Sequence, residues 1–192
     1  MNTFYLVRHA HVDWTPDENR SLSERGHQDA KRAAEILQKF PINVIYSSPY
    51  LRARQTIAPV SSRLEIDVQI EPDLRERRLS EGPVADFLKT VEVTWEDFTF
   101  AHPGGESNSA AQQRGVAVLI RLDQLHQADH IVISTHGSLL AMMLHHFEPS
   151  IDFNFWKSMT FPDIYKLEIK ADDQSVFRRL WNEDELQSGK DF

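Results

Sequence analysis

The sequence predicts an α/β protein, a three-layer α/β/α domain with a mostly parallel central sheet. Three observations carry that expectation. Short apolar runs alternate with amphipathic stretches along most of the chain. Several of the runs are apolar at nearly every position, as strands buried on both faces are. Three of them stop at polar or cationic clusters, and it is beyond the carboxyl ends of parallel strands that open α/β sheets bind their ligands.

Taken in order, Thr3–Val7 is the first strand, running into Arg8-His9-Ala10. After a loop through Pro16, Leu22-Ser23-Glu24-Arg25-Gly26 opens a helix with Ser23 as its cap. Ala30, Ala33, Ala34 and Leu37 then recur at helical spacing, and Pro41 ends the element. Val44-Ile45-Tyr46 is the second strand, Ser47-Ser48-Pro49 its turn, and Tyr50 to about Val60 the second helix, with Pro59 near its end. Leu64–Ile70 alternates apolar and polar residues, which predicts a third strand nearer the sheet edge. Pro72–Gly105 is the least regular stretch, with a helix from Val84 into the Phe98 region. It reads as a cap-like insertion, 72–105, in a single domain spanning 1–192. A long amphipathic helix covers about Ser107 to Gln127, His130–Ser134 is a strongly apolar strand, and Gly137–Phe147 is a helix. Asp163–Ile169 and Ser175–Trp181 are the last strands before a polar tail.

Composition narrows the function classes. With 21 Lys and Arg against 29 Asp and Glu, the 192-residue chain carries a formal charge of −8, which argues against a nucleic-acid partner and its usual basic face. The longest strongly apolar run of the C-terminal half, Leu139–Leu144, is far short of the roughly 20 residues a spanning helix needs. The N-terminus reads as a strand and not as a signal peptide, so the expected location is cytoplasmic, without a membrane partner. Nothing specifies an oligomeric state. Cys is absent, which excludes disulfide scaffolds, thiolate metal sites and a cysteine nucleophile. His is abundant, with nine residues.

The strand ends hold the chemistry. Arg8-His9 follows the first strand, Tyr50-Leu51-Arg52-Ala53-Arg54 the second, and Ser134-Thr135-His136-Gly137 the fourth. Two His and two Arg converging at one sheet edge make a cationic pocket inside an acidic protein. Arg recognises phosphate oxygens in a planar, bidentate way. A neutral His among such cations can attack phosphorus, because they keep it unprotonated.

Taken together, these segments resemble the histidine phosphatase superfamily, in its phosphoglycerate mutase-like branch. The matching motifs are Leu6-Val7-Arg8-His9, Ser47-Ser48-Pro49 with Arg52-Ala53 and Gln55-Thr56, and Ser134-Thr135-His136-Gly137. Leu22-Ser23 with Gly26, Gln28 and Ala30 is similar to the family's helix start. Leu74-Arg75-Glu76-Arg77 is similar to its acidic segment, and Gly105-Glu106-Ser107 to its Gly-Glu-Ser turn. The resemblance implies a phosphoglycerate mutase-like fold and a phosphohistidine mechanism. His9 is then the nucleophile, and Arg8, Arg52 and His136 hold the phosphoryl oxygens, with His136 also steadying the transition state. Glu76 is the general acid and base, with Glu81 or Glu106 as alternatives. Arg54 is read as a surface residue. No metal and no cofactor is implied, and the partner is a small phosphorylated substrate.

The departures from the family pattern matter too. Ala10, Val12 and Thr15 stand where the family has Gly, Thr and Asn. The loop from Trp14 to Leu22 is shorter than in mutases and lacks their substrate segment, which favours water as phosphoryl acceptor. The expected function is therefore a metal-independent phosphomonoesterase. The alternatives are mutase-type transfer and a catalytically weak phospholigand-binding module. A metallo-hydrolase reading of His9-x-His11-x-Asp13 is weaker, because Trp14 stands where that motif has a further His. Trp14, Phe87, Trp95, Phe98 and Phe100 are read as core before they are read as the lining of a substrate cap.

Overall fold

A computed structural model describes residues 2–169 and 175–181. The polar tail beyond Trp181 lies outside the described residues. Strand β1 (Thr3–Arg8) is buried along its whole length and sits in the interior of the sheet. Because successive side chains point to opposite faces, Phe4 and Leu6 enter one core while Tyr5 and Val7 enter another. The remaining strands are β2 (Val44–Ser47), β3 (Val68–Ile70), β4 (His130–Thr135), β5 (Asp163–Glu168) and β6 (Val176–Arg179). Their order is β3-β2-β4-β1-β5-β6. The first four named are parallel, and β5 and β6 add an antiparallel edge.

Helices α1 (Glu24–Leu37) and α2 (Leu51–Leu64) cover one face, placing Ala33, Leu37, Ile57 and Val60 against Tyr5 and Val132. On the other face lie α3 (Phe87–Glu96), α4 (Asn108–Leu125), α5 (Gly137–Phe147) and α6 (Phe153–Ser158). Every residue of α5 from Gly137 to Leu144 is buried. Burial of leucines such as Leu139 and Leu140 contributes about 1.5–3 kcal/mol each. Side-chain oxygens of Ser23, Asp86, Ser107 and Asp152 accept backbone N–H groups at the starts of α1, α3, α4 and α6. This is the three-layer α/β/α architecture.

Two boundaries differ from the sequence reading. Helix α2 does not stop near Val60 but runs through Pro59 to Leu64, because a proline removes only one helical N–H while Ile57 and Val60 stay buried. Glu65 then turns the chain in the left-handed region at φ 56°, leaving only Val68–Ile70 to pair with β2. A 3-10 turn at Pro72–Leu74 and the short helix α6 were not predicted.

Strand register sets the functional edge. Arg8 lies level with Thr135 of β4 and Asp163 of β5, and Ser47 lies level with Ser134. The next residue of each parallel strand leaves the sheet at one height: the His9 N–H donates to the Thr135 carbonyl (3.0 Å) and the Ser48 N–H to the Ser134 carbonyl (2.9 Å).

Candidate active site

His9 follows directly from β1 and is buried. Its Nδ1 lies 2.8 Å from the Ala10 carbonyl oxygen. A carbonyl only accepts, so Nδ1 carries the proton and Nε2 keeps its lone pair. Burial first, then the charges of Arg52, Arg8 and Arg20, hold the His9 pKa well below the ordinary imidazole value. The hydrogen bond to Ala10 opposes that shift without reversing it. Ala10, the departure from Gly, is fully buried and keeps a negative φ, so its methyl is accommodated. The Ala10 N–H donates to Thr56 Oγ1 (2.9 Å), which ties the turn after β1 to α2.

His136 ends β4 and caps α5, its ring centroid 5.3 Å from that of His9. Its Nε2 is 2.7 Å from Ser48 Oγ. That hydroxyl accepts the Tyr50 N–H (3.3 Å); in the tautomer where it donates its own proton to Nε2, the imidazole carries its hydrogen on Nδ1. Nδ1 is buried and has no partner among the described residues. Burial, then Arg52, His9, Arg20 and Arg8, push the His136 pKa well below its ordinary value as well.

The two expected arginines meet these imidazoles. Arg8 donates to the Met159 carbonyl (2.8 Å), and its guanidinium carbon lies 3.4 Å from the centre of the Phe161 ring. On Arg8, Gly137 approaches so closely that a Cβ there would stand 2.8 Å from the guanidinium carbon. Arg52 donates to the Glu18 carbonyl (2.6 Å) and lies 4.7 Å from the Tyr50 ring. Burial lowers the pKa of each to about 10, and Glu76 partly offsets the shift in both. Arg54, by contrast, is exposed and faces a separate cavity.

Glu76 is brought to the same place. Its carboxylate accepts the N–H groups of Arg77 (2.8 Å), Ser138 (3.2 Å) and Leu139 (3.1 Å), the latter two from the first turn of α5. Neither alternative lines the cavity that holds His9. Glu106 is held by Arg114 at 2.7 Å, and Glu81 packs against Gly104. His11 turns its Nδ1 to Ser23 (2.8 Å) at the start of α1. Among the described residues no group of three or more His, Asp or Glu side chains is arranged to hold a metal ion.

Sequence reasoning missed Arg20. Its Nη1 is held by the Thr15 and Asp17 carbonyls (both 3.2 Å), its Nε is buried without a partner, and its charge acts on His9, His136 and Arg52. Its position two residues before the Leu22 helix start was the one available signal. The reading of five aromatics as core is corrected for three of them: Trp14 is 79% exposed, Phe87 55% and Phe100 38%. Trp14 and Phe87 line the cavity of about 440 Å³ that holds Arg8, His9, Arg52 and Glu76, and the adjoining cleft of about 1200 Å³. Trp95 and Phe98 pack instead around His145, and Phe100 against His102.

A neutral imidazole with a free Nε2, sharing its cavity with the guanidinium groups of Arg8, Arg20 and Arg52 and the Glu76 carboxylate, has the chemistry to receive an anion and to attack it. Known proteins of similar sequence and fold are as follows. Phosphoglycerate mutase-like protein 4 of Arabidopsis thaliana is 27% identical over 162 residues, covering 76% of this chain and 70% of the relative. Glucosyl-3-phosphoglycerate phosphatase of Mycobacterium tuberculosis is 30% identical over 159 residues, covering 72% and 71%. Among solved structures, a mycobacterial glucosyl-3-phosphoglycerate phosphatase with inorganic phosphate has a TM-score of 0.73 at 24% identity over 92% of this chain and 94% of its own. A phosphoserine phosphatase from Entamoeba histolytica with 3-phosphoglyceric acid has a TM-score of 0.77 at 17% identity, covering 95% and 98%. By name, three of these four are phosphatases and one is phosphoglycerate mutase-like. Among the described residues no helix is long and apolar enough to cross a membrane. The family described as the histidine phosphatase superfamily, branch 1, matches residues 4–184, and the chain belongs to that superfamily.

Proposed function

We propose that the chain is a metal-independent phosphomonoesterase that works through a phosphohistidine at His9 on a small phosphorylated metabolite. One observation carries the reading most: the His9 imidazole is buried, donates from Nδ1 to a carbonyl, and so presents Nε2 as a lone pair among Arg8, Arg20 and Arg52. In the first step Nε2 bonds to phosphorus, the ester P–O bond breaks, and Glu76 gives its proton to the leaving oxygen. In the second, the Glu76 carboxylate takes a proton from water as the oxygen bonds to phosphorus, and the Nε2–P bond breaks to free phosphate. Arg8, Arg20, Arg52 and the Nδ1–H of His136 bind the phosphoryl oxygens and stabilise the charge that builds on them. Segment 72–105 acts as a cap at the leaving-group end, supported by Leu79, Phe87 and Leu88 at the cavity wall.

Hydrolysis is favoured over transfer to a second substrate because the loop from Trp14 to Leu22 is short and the site opens directly into the wide cleft. The test is turnover of p-nitrophenyl phosphate in chelator at mildly acidic pH, with trapping of an acid-labile phosphoenzyme. Loss of both in His9→Ala is expected. Equal rates in the two proteins, or no trappable phosphoenzyme, reject the mechanism. Phosphate appearing on an added phosphoglycerate, and not in water, identifies a mutase.

A further inference from the structure

We propose that Arg77 reads a second anionic group, a carboxylate or a further phosphate, on the leaving-group side of the substrate. The inference rests on the phosphatase reading for the identity of the transferred group and for the place of Glu76 at the leaving oxygen.

Arg77 is 5% exposed, yet it forms no ion pair with a carboxylate among the described residues. Its guanidinium has one weak hydrogen bond, from Nη1 to the buried Thr94 hydroxyl at 3.3 Å, and its Nε is buried without a partner. Two carboxylates act on it, Glu76 first and then Glu106, but neither pairs with it: Glu76 accepts the N–H groups of Arg77, Ser138 and Leu139, and Glu106 is taken in a two-point grip by Arg114 at 2.9 and 2.7 Å. A buried cation left in this state is costly unless something else satisfies it. Here both the cavity and the adjoining cleft border Arg77, so a bound anion can reach it.

Its place along the cleft separates it from the transferred phosphoryl group. The cations acting on His9 and His136 are Arg52, Arg8 and Arg20, whereas Arg77 interacts with Glu76 and Glu106. Glu76 serves the leaving oxygen, and Arg77 follows it in the chain. Leu79 and Phe87 wall the same space, so the leaving group has an apolar side and one fixed positive charge.

Equilibrium binding to His9→Ala protein tests this without turnover, using matched ligand pairs by calorimetry. 3-Phosphoglycerate against glycerol 3-phosphate isolates the carboxylate, and fructose 1,6-bisphosphate against fructose 6-phosphate isolates a second phosphate. At least one doubly anionic ligand is expected to bind about tenfold or more tightly than its partner, the effect of one charge-assisted hydrogen bond. Arg77→Gln in the same background should bring that ratio close to one, and Arg77→Lys should leave it in between. A ratio near one in both pairs before Arg77 is changed, or a ratio that Arg77→Gln leaves intact, overturns the proposal. Because Arg77→Gln also removes a buried contact, the starting ratio and the Lys variant keep the test decisive if that protein does not fold. Failure of the phosphatase reading shows separately, as p-nitrophenyl phosphate turnover that does not depend on His9.

Discussion

The contact between Gly137 and Arg8 offers the sharpest test of the site's geometry. A Cβ at position 137 would lie 2.8 Å from both the guanidinium carbon and Nε of Arg8, and 3.0 Å from Nη2. Unstrained packing between such atoms needs about 3.5 Å, so Gly137→Ala must displace the guanidinium by roughly 0.7 Å. Little room exists for that movement. The guanidinium carbon already rests 3.4 Å from the Phe161 ring centre, and Nη1 is tethered to the Met159 carbonyl at 2.8 Å. Overpacking of this kind costs about 1–3 kcal/mol of stability. The loss in activity should be larger in proportion, because a displacement near 1 Å in a positioning group lowers rates by about 100-fold. The assay is kcat/KM for p-nitrophenyl phosphate beside thermal unfolding, with orthovanadate affinity reporting the phosphoryl site. A Gly137→Ala protein within threefold of wild type in kcat/KM would mean that the position of Arg8 is not what the site depends on.

Other expectations follow from the same geometry. Arg20→Gln should weaken competitive inhibition by inorganic phosphate about tenfold, the effect of one charge-assisted contact. Its removal also takes away a charge that lowers the His9 pKa, so the acid limb of kcat/KM should move to higher pH, and an unmoved limb refutes the assignment. Glu76→Gln should slow alkyl phosphates about tenfold more than p-nitrophenyl phosphate, whose leaving oxygen needs little protonation. Glu81→Gln should not change that ratio, and an equal change in both variants rejects Glu76. Stability should also depend on pH through His9 and His136. Their folded pKa values lie well below 6.5, so as pH falls below about 6.5 the unfolded chain takes up protons that the folded chain does not. Each should contribute a fall of about 1.4 kcal/mol per pH unit. Denaturant titrations at pH 6.0 and 5.0 should give a shallower slope for His136→Gln by about that amount, and identical slopes refute the buried neutral state.

What was legible in the sequence follows from which interactions leave a side-chain signature. Strands such as Phe4–Val7 and Ile131–Ile133 are apolar at each position because helices cover both their faces. Arg8, His9, Arg52 and His136 were legible because they follow strands at one sheet edge and combine fixed cations with imidazole lone pairs. The contacts that hold them left no such mark. Arg8 and Arg52 are held by the carbonyls of Met159 and Glu18, a group every residue has. Phe161 reads as any aromatic, yet its ring sits on Arg8 and lies 5.5 Å from His9. Arg20 was hidden for a similar reason, since a loop without periodicity does not say which way its side chains point. The end of α2 was misread because local alternation over Leu64–Ile70 was weighed above burial of the preceding turns. Helix α6 has only six residues, too few for a periodic pattern.

The use of carbonyls in place of carboxylates has a chemical consequence. A carboxylate partner would fix each guanidinium but also neutralise it, and an incoming phosphate would have to displace that partner. Met159, Glu18, Thr15 and Asp17 instead fix Arg8, Arg52 and Arg20 through neutral dipoles, leaving their charge available. None of the three forms an ion pair among the described residues, although Glu76 acts on Arg8 and Arg52 from nearby. The arrangement is expensive while the site is empty, as the lowered pKa values of Arg8 and Arg52 indicate. It also holds His9 neutral, which a nucleophilic imidazole requires. On the proposed function, a phosphoryl group would relieve the mutual repulsion of the cations when it binds, and in the transition state its spreading charge would meet donors already in place. The net charge of −8 and this pocket are therefore compatible. The acidic balance belongs to the chain as a whole, while Arg8, Arg20 and Arg52 gather around one cavity of about 440 Å³ at the sheet edge.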